Sequence, residues 1–391
     1  MELQEKAQPR LGLYLHVPFC ARDCAYCGFY RAAPDRRALA GYLDAIEREL
    51  AAEPPSRPVD TVFWGGGTPG LLPAADLHRL GAAMLRQLPA APAEWTVEMA
   101  PATVKADKLQ VLRDLGVNRI SLGVQSFQPA LLEALGRIHA PAQVLRAIDA
   151  IRAAGFANFN IDLIFAIPGQ DLAAWERDLA TATHLRPAHI STYCLTFEED
   201  TALWLKLRAG QVRQQSEGDE AAFYERCWDV LGAAGYAQYE IANYALPGHA
   251  CVHNLNTWRM QEWLGYGPSA ASQFGNRRTT RSPDLAAWQA GVHAGRPARV
   301  EDILLTPRML ATDALVFGLR MNAGVDLAAW QARFGVQAPA PLQALFADLL
   351  ADGLAERAGA VLRLSRAGRL LADRIGVEIL ERMEPPPGQR S

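Results

Sequence analysis

Short β-rich runs alternate with helical stretches from about Leu11 to about Thr196, and no other feature restricts the fold as much. The strand candidates are LGLYLHV, VDTVFW, EWTVEM, NRISLGV, FNIDLIF and HISTYCLTF. Between them lie RALAGYLDAIERELA, AADLHRLGAAMLRQL, KADKLQVLRDLG, PAQVLRAIDAIRAAG and DLAAWERDLATATHL. In the last of these, Leu172, Trp175, Leu179 and Ala182 share one helical face, and Asp171 stands where an N-cap belongs. Gly116 and Gly155 occupy positions that suit helix C-termini. A βα alternation implies parallel strands with helices packed outside them. In such sheets and barrels chemistry collects at the carboxyl ends of the strands. The steps from Trp64 to Glu98, Gln125, Asp162 and Thr196 are 34, 27, 37 and 34 residues, the repeat of a βα unit. That repeat points to one shared mouth, the alternative being chance placement in loops.

The chain has 391 residues, half of them hydrophobic, enough for one large domain and a smaller one. The formal net charge is -3, with both signs interspersed, so no basic stripe argues for nucleic acid. The opening MELQEKAQPR lacks the apolar core of a secretory signal. No uncharged apolar run approaches the roughly 18 residues of a membrane span. The expectation is a cytoplasmic chain, where disulfides are rare.

After Thr196 the pattern loosens. DEAAFYERCWDVLGAAG reads as helix and QYEIANYA as strand. The polar, glycine-containing stretch CVHNLNTWRMQEWLGYGPSAAS follows. From about Glu301 the chain turns helical, and GLAERAGAVLRLSRAGRLLADRIGVEIL reads as helix, two short strands and helix, a winged-helix-like order. Its charge does not favour DNA. The final PPPGQRS reads as a frayed end. The expected domains are a barrel core over 1–240, a connecting segment over 241–300 and a helical, winged-helix-like unit over 301–391.

Three of the six cysteines, Cys20, Cys24 and Cys27, stand as C-x3-C-x2-C directly after the first strand. Three thiolates can hold three irons of a 4Fe–4S cubane. The fourth iron then lacks a protein ligand and can take a small molecule bearing an amine and a carboxylate. The methionine end of S-adenosylmethionine (SAM) is such a group, and one electron passed to it can release a 5′-deoxyadenosyl radical. The alternatives are a zinc site, with His16 as a fourth ligand, a disulfide, or unpaired thiols. Cys194, Cys227 and Cys251 are scattered and read as buried thiols.

With these motifs the sequence resembles the radical SAM superfamily, in its coproporphyrinogen-III-oxidase-like branch. The resemblance runs through YLHVPFC-x3-C-x2-C, FWGGGTP, VEMAP, ISLGVQSF, LGRIH and IDLIFAIPGQ, in that order, to the winged tail. It implies an α/β fold: a partial, open (β/α)6 barrel followed by a smaller helical domain. It implies that Tyr14 and Tyr26 flank the cluster and pack on SAM. Gly66, Gly67 and Thr68 would bring backbone close to its methionyl end. Glu98, Gln125, Arg137 and Asp162 would complete a polar pocket at the same mouth.

Within the branch, the oxygen-independent coproporphyrinogen III oxidases carry a further cysteine two residues beyond the third cluster cysteine. Here that position is Phe29. The chain is therefore more similar to the HemW-type heme chaperones, whose His-Asn-x-x-Tyr-Trp stretch is associated with heme. HNLNTW matches it at His253, Asn254 and Trp258 and departs at Thr257; Ala270 also replaces a common His. The resemblance implies heme contact at His253, Asn254 and Trp258, the alternative being that His253 and Asn254 hydrogen-bond the loop against the barrel. Arg259, Arg277 and Arg278 could serve heme carboxylates or be solvated surface arginines.

The expected function is a heme chaperone that binds heme and transfers it to acceptor proteins, with peripheral membrane contact during delivery. An electron donor such as a flavodoxin or ferredoxin is the expected redox partner, and nucleic acid is not a partner. Radical decarboxylation of coproporphyrinogen III propionates, or another radical SAM reaction, stays open as the alternative, as does catalysis itself.

Overall fold

A computed structural model describes residues 10–383; the expectations for the opening residues and for PPPGQRS lie outside them. Six strands arise where the alternation placed them: β1 (Leu11–Val17), β2 (Thr61–Gly66), β3 (Glu94–Met99), β4 (Arg119–Gln125), β5 (Phe159–Phe165) and β6 (His189–Cys194). They pair in parallel in chain order, each strand beside the next. Helices link each strand to the next, as parallel pairing requires long crossovers. Asp171 caps helix Leu172–His184 by accepting from Ala174 N. Gly116 and Gly155 follow their helices with φ of 96° and 81°, backbone that suits glycine.

The two faces of the strands differ. Leu11, Leu13, Leu15 and Val17 are buried on the helix side, in one core with Tyr42 and Ile46 of helix Arg36–Ala52. Each such side chain contributes about 1.5–3 kcal/mol. The other face turns inward and is polar: Tyr14 and His16, Glu94, Thr96 and Glu98, Arg119 and Ser121, Asn160 and Asp162, His189 and Ser191. Strands buried on both faces therefore enclose a polar lumen.

The sheet then continues with β7 (Ala237–Gln238), β8 (Asn243–Ala245), β9 (Glu262–Tyr266), β10 (Ala271–Phe274), β11 (Arg277–Arg281) and β12 (Arg299–Leu304). The order is β12-β11-β10-β9-β1-β2-β3-β4-β5-β6-β8-β7, an open twelve-stranded sheet. The stretch read as a connecting segment over 241–300 thus does more than connect, because β9 pairs in parallel with β1 and carries the sheet outward. Arg281, buried with Glu49, ties this extension to helix Arg36–Ala52.

A second core gathers helices Pro307–Leu319, Ala340–Ala351 and Ala372–Met383 around Leu315, Phe346 and Ile379. A small sheet of β13 (Val325–Asp326), β14 (Ala355–Ala358) and β15 (Val361–Leu364) completes this winged-helix-like unit. It docks beneath the barrel. Arg333 donates to Arg259 O and Met260 O, Asn322 donates to Gln238 O, and Trp258 packs on Phe317 at 5.6 Å between ring centroids. No described helix is long and apolar enough to cross a membrane.

Candidate functional site

The cysteine loop leaves β1 at its carboxyl end and is held by its backbone. Cys20 N donates to Ala32 O and Ala32 N to Pro18 O, which closes the stem. Ala25 N donates to Leu135 O at 3.0 Å, and Leu203 N donates to Ala25 O at 2.7 Å. Arg31 donates to Cys27 O at 2.7 Å and pairs with Asp23. Because the main chain and Arg31 shape the loop, the thiols are left over. All three are half-buried and unbridged, and only Cys20 has a neighbouring hydroxyl, Thr68 Oγ1 at 3.8 Å.

Burial pushes the Cys20 thiol up, and the Cys24 and Cys27 thiols push it further, whereas Thr68 works the other way. Burial likewise raises Cys24. Thiolates that raise one another fit a cationic iron centre that would relieve them. Among the described residues no three His, Cys, Asp or Glu side chains converge tightly enough to hold a single metal ion. His16 is not free for the zinc alternative, since its ring contacts Tyr14 Oη and Tyr30 O. A cubane would place each of the three thiolates on its own iron.

Opposite the cysteines lies a cavity of about 670 Å³. Cys20, Cys24, Cys27, Tyr26, Gly66, Gly67, Thr68, Glu98, Gln125, Arg137, Asp162 and Thr196 line it. Gly66 has φ of 98°, and a Cβ there would overlap the His16 ring. A Cβ on Gly67 would sit 2.7 Å from Val17 O and Phe19 O. Only glycine lets this backbone close against the cluster loop.

Gln125 also sits in left-handed backbone, with φ of 72°, at a bulge on β4. Its side chain is buried, faces the cavity and has no hydrogen bond to a described residue. Strain spent on an unpartnered amide fits a ligand-binding role. Arg137 donates to Tyr26 Oη at 2.9 Å, which sets that ring beside the cysteines.

Two expected positions fall elsewhere. Tyr14 does not line the cavity: its hydroxyl meets His16 Nδ1 at 3.1 Å and its ring stacks on Phe63, deeper in the lumen. Trp64 points to the helix side and packs on Trp95, 5.2 Å away, because the inward position at the end of β2 belongs to Gly65.

Glu98 and Asp162 face the cavity from β3 and β5. Burial, then the charge of Asp162, pushes Glu98 up to about 8, against the Gly66 N–H and Arg119. Burial raises Asp162 too, against bonds from Asn160 and Ser121. A cationic ligand beside Glu98 favours its carboxylate. Glu98 must then release a proton on binding at pH below about 8. SAM affinity is therefore expected to rise from pH 6.5 to about 8 and then level off, with the rise lost in Glu98→Gln. Equilibrium dialysis across that range checks it, and a flat wild-type profile contradicts it.

The HNLNTW stretch lies at the other end of the barrel. Helix Val252–Trp258 plugs the amino ends of β1, β2 and β3. Glu94 caps it, its carboxylate accepting from Val252 N and His253 N, each at 2.9 Å. His253 is buried, with Nδ1 2.9 Å from Thr61 Oγ1 and its ring 5.3 Å from that of Phe63. Burial, then Arg119, lowers it to about 4, so the ring is neutral.

The three residues expected to contact heme, His253, Asn254 and Trp258, all belong to this helix. His253 faces the barrel floor with Nδ1 at Thr61, Asn254 N donates to the Cys251 thiol, and Trp258 packs on Phe317 beneath Arg320. Thr257 bonds back to His253 O, and Ala270 is buried. Arg277 and Arg278 pair with Asp302 and Asp313, whereas Arg259 is exposed and accepts from Arg333 through its carbonyl.

Sequence reading missed Glu94, Arg119, Asn160, His139 and Tyr193. A period-two step back from Glu98 and Asp162 reaches Glu94, Thr96 and Asn160, which share their inward face.

Known proteins were then compared. A family profile described as the Radical SAM superfamily matches residues 14–182, and one described as the HemN C-terminal domain matches residues 305–371. The heme chaperone HemW of Bacillus subtilis (strain 168) is 31% identical over 368 residues, 93% of this chain and 97% of that protein. HemW of Mycobacterium tuberculosis (strain ATCC 25618 / H37Rv) is 36% identical over 377 residues, 93% of each chain. HemW of Escherichia coli (strain K12) is 39% identical over 270 residues, 67% of this chain and 70% of that one. Among solved structures, the coproporphyrinogen III oxidase (HemN) of Escherichia coli, a radical SAM enzyme, superposes with a TM-score of 0.83. It is 24% identical, over 95% of this chain and 90% of that chain, and shares the fold. The cysteine loop, the glycine cradle and the near full-length similarity together place the chain in the HemW family of the radical SAM superfamily.

Proposed function

We propose that this chain is a heme chaperone of the HemW kind, which binds heme and passes it to acceptor proteins. The carrying observation is identity of 31–36% over 93% of the chain to proteins of that description. Cys20, Cys24 and Cys27 would hold a 4Fe–4S cluster, and Gly66, Gly67, Thr68, Glu98, Gln125, Asp162 and the Arg137–Tyr26 pair would hold SAM beside it. When bound, these groups supply one-electron chemistry at the mouth. The protein's own part is to approach SAM with backbone, to place Glu98 against its positive charge and to keep bulk water from the lumen. The reading includes action in the cytoplasm, with peripheral contact at the membrane during delivery. It also includes reduction by a flavodoxin or ferredoxin and no nucleic-acid partner.

Phe29, at the position of the further cysteine of the oxidases, supports transfer over decarboxylation. The test is anaerobic reconstitution followed by two assays. Hemin titration is expected to give a saturable Soret band, and heme is expected to pass to an apo-hemoprotein. Coproporphyrinogen III with SAM and dithionite is expected to give no decarboxylated product. Stoichiometric protoporphyrinogen, or absence of hemin binding, contradicts the reading.

A further inference from the structure

Behind Asp162, toward the amino ends of the strands, runs a row of polar side chains to which nothing above gives a role. The sheet register lines it up. β4, β5 and β6 set Ser121 beside Asn160 and Asn160 beside His189, with Asp162 beside Ser191 nearer the carboxyl ends. Asp162 and Ser121 line the cavity, whereas Asn160, His189 and Tyr239 do not. Asn160 and His189 are buried, so neither touches a ligand held there. The contacts are continuous. Asp162 Oδ1 lies 2.8 Å from Asn160 Nδ2, Asn160 Oδ1 2.7 Å from His189 Nδ1, and His189 Nε2 2.7 Å from Tyr239 Oη. The same hydroxyl is met at 3.3 Å by the main-chain nitrogen of Cys251, the N-cap residue of helix Val252–Trp258.

The donors and acceptors fix the direction of this row. A main-chain N–H only donates, so Tyr239 accepts from Cys251. Among the described residues, the acceptor that meets the Tyr239 O–H is His189 Nε2. Burial, then the charge of Arg119, lowers the His189 pKa, so the ring is neutral and carries its single proton on Nδ1. That proton goes to Asn160 Oδ1, which also accepts from Ser191 Oγ at 3.2 Å. The Asn160 amide is thereby turned with its NH2 toward the pocket. It donates to Asp162 Oδ1 and to Ser121 Oγ, each at 2.8 Å, and Ser121 donates in turn to Asp162 Oδ2 at 3.3 Å. Of the influences that favour the Asp162 carboxylate against burial, the Asn160 bond is the largest. With the amide reversed, an oxygen would face that carboxylate, and Asp162 would need a proton to meet it.

Resting on the assignment of Asp162 to the SAM pocket, we infer that His189 and Tyr239 are positioning residues for SAM, which through Asn160 hold Asp162 as an acceptor aimed into the pocket. An amide keeps its protons, so the row sets an orientation and does not conduct. Its far end is tied to the C-terminal unit as well, because Asn322 N donates to Tyr239 O at 3.1 Å. The donors of SAM thus meet a carboxylate whose direction is set from the opposite end of the strands.

The test uses the full-length protein with its cluster reconstituted and oxidised, and SAM as the probe. Nitrogen NMR of protein carrying isotope-labelled histidine reads the tautomer, with the His189 signals assigned by their loss in His189→Gln. Wild type is expected to show the His189 proton on Nδ1, and Tyr239→Phe to move it toward Nε2. Tyr239→Phe is expected to weaken SAM binding about three- to tenfold in equilibrium dialysis, with iron and sulfide content as in wild type. Asp162→Asn is expected to weaken it about tenfold or more. Tyr239→Phe added to Asp162→Asn is expected to change SAM affinity by less than about twofold further, because no carboxylate remains to be held. Equal weakening by Tyr239→Phe in both backgrounds means general loosening and overturns the inference. A wild-type His189 protonated on Nε2, or unchanged SAM affinity in Tyr239→Phe, overturns it as well, while Asp162 keeps its place in the pocket. Wild-type SAM affinity in Asp162→Asn removes Asp162 from the pocket and overturns the assignment on which the inference rests.

Discussion

Glu94→Ala is expected to destabilise the chain by about 3–5 kcal/mol, as a lowered urea midpoint, although Glu94 lies far from the cysteine loop. Its carboxylate accepts from Val252 N and His253 N and from the Cys251 thiol. It also balances the charge of Arg119, a fully buried guanidinium that also feels Asp162 and Glu98. Removing Glu94 leaves two helix N–H groups without an acceptor and a buried cation without part of its compensation. Glu94→Gln keeps an acceptor and is expected to cost less, about 1–3 kcal/mol. The helix it caps is also the platform for the winged-helix-like unit, through Arg333 and Trp258. A loss below about 1 kcal/mol in Glu94→Ala would mean that the floor is not built this way.

Cys24→Ala is expected to have the reverse profile: little effect on the protein scaffold and loss of the cofactor. The Cys24 thiol makes no hydrogen bond, and Ala25 beside it is held at both main-chain groups. Stability of the cofactor-free chain is expected to change by less than about 1 kcal/mol. Iron and sulfide retained after reconstitution should fall sharply, and dithionite-driven SAM cleavage should fall more than about a hundredfold. Loss of an outer-shell partner alone costs about 10–100-fold in metal sites, and Cys24 would be a direct ligand. Retention of a full cluster in Cys24→Ala would remove it from the ligand set.

The six parallel strands were legible because hydrophobic runs and helix signals alternate cleanly from Leu11 onward, and Asp171, Gly116 and Gly155 mark ends that depend on local backbone chemistry. The cysteine spacing was legible for the same reason, since C-x3-C-x2-C lies within one loop. What stayed hidden depends on contacts distant in sequence. EWLGY lacks a strand's alternation, yet it becomes β9 because β1 offers it a parallel edge. The pairing of His253 Nδ1 with Thr61, 192 positions earlier, is likewise invisible in HNLNTW itself. Trp64 and Glu98 looked equivalent at their strand ends, but the pleat sends one outward and the other in. Glu98 illustrates the energetic side. A carboxyl raised to about 8 when folded, against 4.5 as the ordinary value, subtracts stability as pH climbs from 4.5 to 8. A cationic ligand at this position offsets that loss.

The account rests on Cys20, Cys24 and Cys27 presenting an iron cube with one corner open. The most direct measurement is low-temperature EPR of the anaerobically prepared, dithionite-reduced protein, with iron and acid-labile sulfide quantified before SAM is added. The account predicts about four irons and four sulfides per chain, a reduced-cluster signal, and a change in that signal when SAM binds. Bound zinc without sulfide, or a cluster signal indifferent to SAM, contradicts it.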